Sequence, residues 1–233
     1  MPADPDQIDL AGDPPVRLRI RRSARARRLS LSVSRLDGRV TLTLPPRMAL
    51  RSALAFVSER RAWLDQVLGH VASVEPVGPG TWLPVEGRRL LLTPAALRSP
   101  RIEEDRLLVP AARPTAGTLA WLRLLARQRL AQRVARHAET LGRKPGTLTL
   151  RDTRSRWGSC TARGDLMFNW RLILAPPPVL DYVAAHEVAH LVQMNHSPAF
   201  WAEVAALFPA HAEARRWLKT EGAALHRYRF DPA

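Results

Sequence analysis

From Val16 the chain alternates. Val16, Leu18 and Ile20 fall on one side and Arg17, Arg19 and Arg21 on the other, the period of two that a half-buried strand requires. Leu29-Ser30-Leu31-Ser32-Val33 repeats the pattern. Val40-Thr41-Leu42-Thr43-Leu44 returns it after Leu36-Asp37-Gly38, a hairpin signal. Pro45-Pro46 stops this meander. Leu50, Leu54, Val57, Leu64 and Leu68, with Trp63 nearby, then describe one helix ended by Gly69. Residues 16–72 thus predict a β-meander plus helix module. Residues 1–15, acidic, Pro-rich and without period, predict a disordered tail.

Residues 73–114 read as a linker and β-hairpin region. Pro76, Gly78, Pro79 and Gly80 break the chain, and strand pieces follow at 88–93 and 106–110. Leu119, Leu122, Leu125, Leu130, Val134 and Leu141 then keep helical spacing over 115–141, closed by Gly142. Within this helix His137 has no partner at ligand spacing and reads as a surface or polar core contact. Leu148-Thr149-Leu150 starts a further sheet, and Trp157-Gly158 reads as a tight turn with an aromatic anchor. Leu166, Phe168, Trp170, Leu172 and Leu174 alternate as one strand. Pro176-Pro177-Pro178 ends that strand and opens a helix over 179–193. Its apolar stripe is Leu180, Ala184, Val188 and Leu191, so the helix is expected to pack with one side and to present other residues on another.

Those other residues carry the chemistry. His186-Glu187-Val188-Ala189-His190 places two imidazoles at i and i+4, one above the other on a helix. Imidazole suits Zn²⁺, and a carboxylate beside the first His can take a proton from a metal-bound water. A catalytic zinc takes three protein ligands and keeps one position open. His196 is the natural third, provided that the chain turns near Met194-Asn195, where Asn tolerates the left-handed conformation. Ser197-Pro198 then reads as an N-cap and first position of a new helix. Glu203 and Glu213 are alternative third ligands. The only cysteine, Cys160, reads as structural, and His211 and His226, each placed singly, do not read as ligands.

The runs Arg156-Trp157-Gly158-Ser159-Cys160, Leu172-Ile173-Leu174, Tyr182-Val183, the HEVAH motif, and Asn195-His196-Ser197-Pro198-Ala199-Phe200-Trp201 together resemble the YgjP-like zinc metallopeptidases, relatives of the SprT-like proteases. The match is strongest over about 148–220. The resemblance implies His186, His190 and His196 as ligands, Glu187 as catalytic base, and a zincin-type metallopeptidase domain over 115–233. The expected fold is therefore α+β: a small N-terminal β-rich module followed by an antiparallel-type sheet packed on helices, one of them carrying HExxH. In the zincin plan an extended polypeptide substrate pairs with a sheet edge above the metal. Asn169, Arg171, Arg156 and Trp157 are the residues that could touch it.

Composition changes this picture little. The 233 residues are 46% hydrophobic, ordinary for a globular chain, and no run reaches a membrane span. A first segment rich in Asp and Pro predicts no secretory leader, and a single cysteine fits a reducing cytoplasm. The net charge of +15 raises the question of a polyanion, and Arg17, Arg19, Arg21, Arg22, Arg25, Arg27 and Arg28 form the densest cluster. Lys144 and Lys219 are, however, the only lysines, so arginine enrichment reads first as composition and the cluster as the wet side of a hairpin. Two rivals remain open. One is a metal-dependent nucleotide pyrophosphohydrolase whose phosphates Arg151, Arg154, Arg156 and Arg171 would hold. The other is a nucleic-acid-associated module with a structural metal.

Overall fold

The computed structural model describes residues 5–12, 15–34, 38–69 and 74–230. Two compact units meet in sequence between residues 74 and 75. The fold is α+β in both.

The first unit holds β1 (Gln7–Leu10), β2 (Val16–Arg22), β3 (Ser30–Val33) and β4 (Val40–Leu44), then α1 (Leu50–Glu59) and α2 (Arg61–Gly69). On β2, Val16, Leu18 and Ile20 are buried and Arg17, Arg19 and Arg21 are exposed, as the alternation predicts. Three expectations are corrected. The sheet is not a meander: its order is β1-β2-β4-β3, with β2 and β4 parallel, because β3 folds back on β4 rather than on β2. Residues 7–10, placed in the tail, form β1 and pair antiparallel with β2, where Ile8 and Leu10 pack against the core. The hairpin signal at Leu36-Asp37 lies outside the described residues. The expected single helix is two, broken at Arg60, whose backbone leaves the helical region (φ −97°, ψ 11°). Leu64 joins Ala53 and Val57 in the core, and Trp63 stays exposed.

The second unit opens with β5 (Glu75–Pro76), which pairs parallel with the last strand, β13 (Tyr228–Arg229). The stretch read as a linker is therefore tied into the sheet structure at once. Then come β6 (Trp82–Val85), β7 (Arg88–Ala95), β8 (Arg101–Glu103) and β9 (Arg106–Pro110) in the order β6-β7-β9-β8, again with a parallel central pair. The same topology occurs once in each unit. The long helix α3 (Pro114–Thr140) buries Leu122, Ala126, Leu130 and Val134. It packs on α4 (Pro177–Ala189) and on the 3₁₀ segment 170–174. His137 is a buried core contact, its Nε2 2.7 Å from Asp181 Oδ1, which ties α3 to α4.

The remaining sheet, β10 (Leu148–Arg151), β11 (Gly158–Cys160) and β12 (Leu166–Asn169), has β12 in the middle. It is mixed rather than antiparallel, since β10 runs parallel to β12 and β11 against it. The strand expected to reach Leu174 ends at Asn169. Asn169 Oδ1 accepts from Arg171 N at 2.9 Å and so caps a 3₁₀ turn, and Trp170 to Leu174 are buried on every side, with no wet face to alternate with. Helices α5 (Pro198–Leu207) and α6 (His211–Thr220) follow, then a 3₁₀ turn over 222–226 and β13. Among the described residues no helix is long and apolar enough to cross a membrane.

Candidate metal centre

Helix α4 starts on a run of prolines, with Pro176 at the N-cap, and ends as His190 caps it. The expectation of one packed and one free side is corrected. Val179, Tyr182, Val183, Ala185 and Glu187 are buried alongside Leu180, Ala184 and Val188, so the helix is enclosed almost all round. The chain then turns without any left-handed residue. Asn195 Oδ1 accepts from Ser197 N at 3.1 Å, and Ser197 Oγ accepts from Phe200 N at 3.4 Å to cap α5. This double side-chain turn carries His196 back over α4.

His186, His190 and His196 each offer a nitrogen, and these atoms all lie within 4.8 Å of one another. Glu203 and Glu213 are not in the cluster. His186 Nε2 and His196 Nε2 are 3.1 Å apart, close to the separation of about 3.3 Å that two nitrogens keep around tetrahedral Zn²⁺. Burial, then the neighbouring His190 and His196, then Arg215, push the His186 imidazole down to about 3. Burial also lowers His190, against the opposing pull of its bond to Gln193. Neutral imidazoles keep a lone pair for a metal. His190 Nδ1 lies 2.9 Å from the carbonyl of Gln193, to which it donates when neutral, leaving Nε2 free to ligate. His186 Nδ1 is buried with no partner among the described residues. Phe200, fully buried, stacks on His190 at 4.5 Å and meets His186 and His196 edge-on at 4.9 and 4.8 Å. It forms an apolar floor under all three rings. The donor set and its spacing fit a borderline divalent cation such as zinc.

Glu187 is 5% exposed, and burial pushes its carboxyl up to about 8 against the pull of Arg156. No described residue hydrogen-bonds it. Gly158 explains how it fits. A Cβ at 158 would stand 2.5 Å from Glu187 Oε1 and 2.6 Å from its Cγ, so the carboxylate lies directly on the β11 backbone. Gly158 was read as a turn residue; it opens β11, and the absent side chain serves close approach instead. Nothing in the local pattern signals this, because the partner comes from a distant helix.

The four residues proposed to touch substrate divide. Arg156 is exposed, and its charge reaches Glu187. Trp157 is partly buried against the ring of His226, at 5.2 Å, and against Gly222. Asn169 is fully buried: its Nδ2 donates to Thr153 O at 2.7 Å and its Oδ1 is taken by the 3₁₀ cap. Arg171 is also turned inward. It pairs with Asp152 at 2.7 and 3.1 Å and donates to the carbonyls of Leu225 and Tyr228 at 3.1 and 2.9 Å. Neither Asn169 nor Arg171 offers a free polar group to a substrate. Cys160 is a half-buried thiol pushed up to about 11 by burial, then by Glu187 and Asp165, and stands outside the histidine cluster.

Residues 27–221 match the family described as YgjP-like, metallopeptidase domain. A comparison with curated proteins found no match. Among solved structures, the chain is similar at 22% identity and a TM-score of 0.35 to one titled "Crystal structure of the metallopeptidase zymogen of Pyrococcus abyssi abylysin", over 40% of this chain and 95% of that one.

Proposed function

The chain belongs to the YgjP-like metallopeptidase family, and from that premise we propose that it is a zinc-dependent peptidase with His186, His190 and His196 as metal ligands and Glu187 as general base. The observation that carries this reading is a buried carboxyl with no hydrogen-bond partner among the described residues, beside three imidazoles whose nitrogens converge within 4.8 Å. Zn²⁺ held there would polarise the scissile carbonyl and acidify a water at neutral pH. Glu187, raised toward neutrality, takes the proton of the attacking water on a carboxylate oxygen and delivers it to the leaving amine nitrogen. The enclosure of α4 keeps competing water from that carboxylate.

The edge strand β11 offers an extended polypeptide an open ladder beside Glu187, with Arg156 at its entrance. The nucleotide-hydrolase alternative loses support. Of the arginines it required, Arg171 is sealed against Asp152 and two carbonyls. The arginines of β2 form an exposed row, but no observation at the histidine site calls for nucleic acid or nucleotide. Location in the cytoplasm remains an expectation of the cysteine content alone.

The test incubates a denatured protein and nucleoside triphosphates with wild type and with Glu187→Gln, alongside metal analysis of His196→Ala. Peptide cleavage that falls by about two to four orders of magnitude in Glu187→Gln, with zinc lost from His196→Ala, is expected. Phosphate release that depends on Glu187, without peptide cleavage, overturns the reading.

A further inference from the structure

Arg215 is an exposed residue of α6 whose Cζ lies 4.6 Å over the ring of Trp201. That ring lies 5.7 Å from the ring of His186 and 6.0 Å from that of His196. Laid end to end, these distances keep Arg215 Cζ within about 10 Å of the His186 ring, the reach of three residues of extended chain at about 3.3 Å each. Among the described residues no ion pair or hydrogen bond uses its guanidinium.

The contrast with Arg171 is instructive, because that fork is filled by four hydrogen bonds from its own chain. Stacking on an indole orients a guanidinium and lowers its freedom without using any of its N–H groups. The fork of Arg215 is thus held in place and left vacant, and its charge reaches both His186 and the buried phenol of Tyr182. A planar fork of this kind is matched by a carboxylate, which accepts two parallel bonds.

We propose that Arg215, stacked on Trp201, binds a carboxylate of the peptide substrate within about three residues of the cleaved bond, and so makes acidic peptides the preferred class. The carboxylate comes either from an Asp or Glu side chain or from a free C-terminus. The proposal rests on the peptidase reading above, and its test separates the two.

Binding is measured first, by fluorescence anisotropy at low ionic strength, on zinc-loaded Glu187→Gln protein. Three dye-labelled peptides of one sequence are compared: a C-terminal amide with Glu at one position, the same amide with Gln, and the Gln peptide with a free C-terminal carboxylate. One or both carboxylate peptides should bind roughly ten- to hundredfold more tightly than the neutral one, and which of them gains identifies the source. Adding Arg215→Gln should remove the difference, and Arg215→Glu should turn the preference toward a Lys-containing peptide. Arg215 is exposed, so these variants keep the fold. Equal or undetectable binding of all three peptides, or a preference that survives Arg215→Gln, overturns the proposal. The ratio of kcat/KM for acidic and neutral peptides is then read with Glu187 intact. Selective binding without any cleavage would fail the peptidase reading and leave the carboxylate site standing. Cleavage without selectivity would do the reverse.

Discussion

Arg171, in the 3₁₀ segment, and Glu187, on the helix after it, are both ionisable and both almost wholly buried, at 6% and 5% exposure. Around Arg171 four of the five guanidinium N–H groups find acceptors, on Asp152 and on two carbonyls of the C-terminal segment, and the ring of Trp170 lies 4.7 Å from its Cζ. Burial raises Asp152, but the hydrogen bonds and charge of Arg171 outweigh it and hold that carboxyl below its usual range. Glu187 lies against the backbone of Gly158, and among the described residues no hydrogen bond reaches it; only the charge of Arg156 opposes its burial. Burying a charge costs several kcal/mol unless partners offset it. A satisfied buried charge therefore pins a fold together, whereas an unsatisfied one is held for a reactant.

Breaking the satisfied one should do the larger damage to stability. Arg171→Met removes the partner of the partly exposed Asp152 and leaves the carbonyls of Leu225 and Tyr228 without that donor, an expected loss of about 1–3 kcal/mol in urea unfolding. Glu187→Gln removes a desolvated acid and should cost no stability while abolishing hydrolysis. Similar losses in the two variants would erase the distinction between the regions.

The sequence announced one of these roles and hid the other. HExxH with a following His is a local pattern, so the ligand trio and Glu187 could be read before any fold. The strands at 88–93 and 106–110 and the helix at 115–141 were legible for a similar reason, since one period governs each of them. Asn169 and Arg171 looked like substrate groups because a polar residue inside an apolar run has no visible partner in sequence. Their partners, Thr153, Asp152 and the C-terminal carbonyls, lie on other segments. The end of β12 escaped for a related reason: full burial on both sides removes the wet face that distinguishes a strand from a 3₁₀ turn. Arg215 and Trp201 lie on separate helices, and only their stacking gives the arginine its place beside the histidines.

The bare backbone of Gly158 offers a way to disturb the unsatisfied charge without touching its chemistry. Gly158→Ala adds one methyl where Glu187 Oε1 and Cγ now stand, and α4 is too enclosed to yield. The carboxylate must move, and a displacement of about 1 Å in a catalytic group costs roughly a hundredfold in rate. The expected variant binds zinc with the wild-type stoichiometry and has kcat/KM for peptide lowered on that scale. A rate within about twofold of wild type would mean that Glu187 is not placed by contact with β11.

The smallest expected effect tests the satisfied region through protons. His226, 8% exposed and 5.2 Å from the ring of Trp157, is pushed down to about 4 by burial, then by Arg171, with Asp152 opposing and Arg154 and Arg229 adding to the shift. Unfolded, the same imidazole titrates near 6.5. Because the folded value is the lower one, the unfolded chain takes up the proton first as pH falls. The stability tied to neutral His226 is complete above about pH 6.5, declines as acid is added, and is gone once pH passes below about 4. Between pH 7 and pH 5 the linkage amounts to about 2 kcal/mol for one such group. His226→Phe keeps a ring against Trp157 and has no proton to accept. The three-histidine cluster is common to both proteins and cancels in the comparison. Urea midpoints measured at pH 7 and pH 5 should therefore fall further for wild type than for His226→Phe, by that amount. Parallel pH dependences would show that His226 is not held neutral by the region around Arg171.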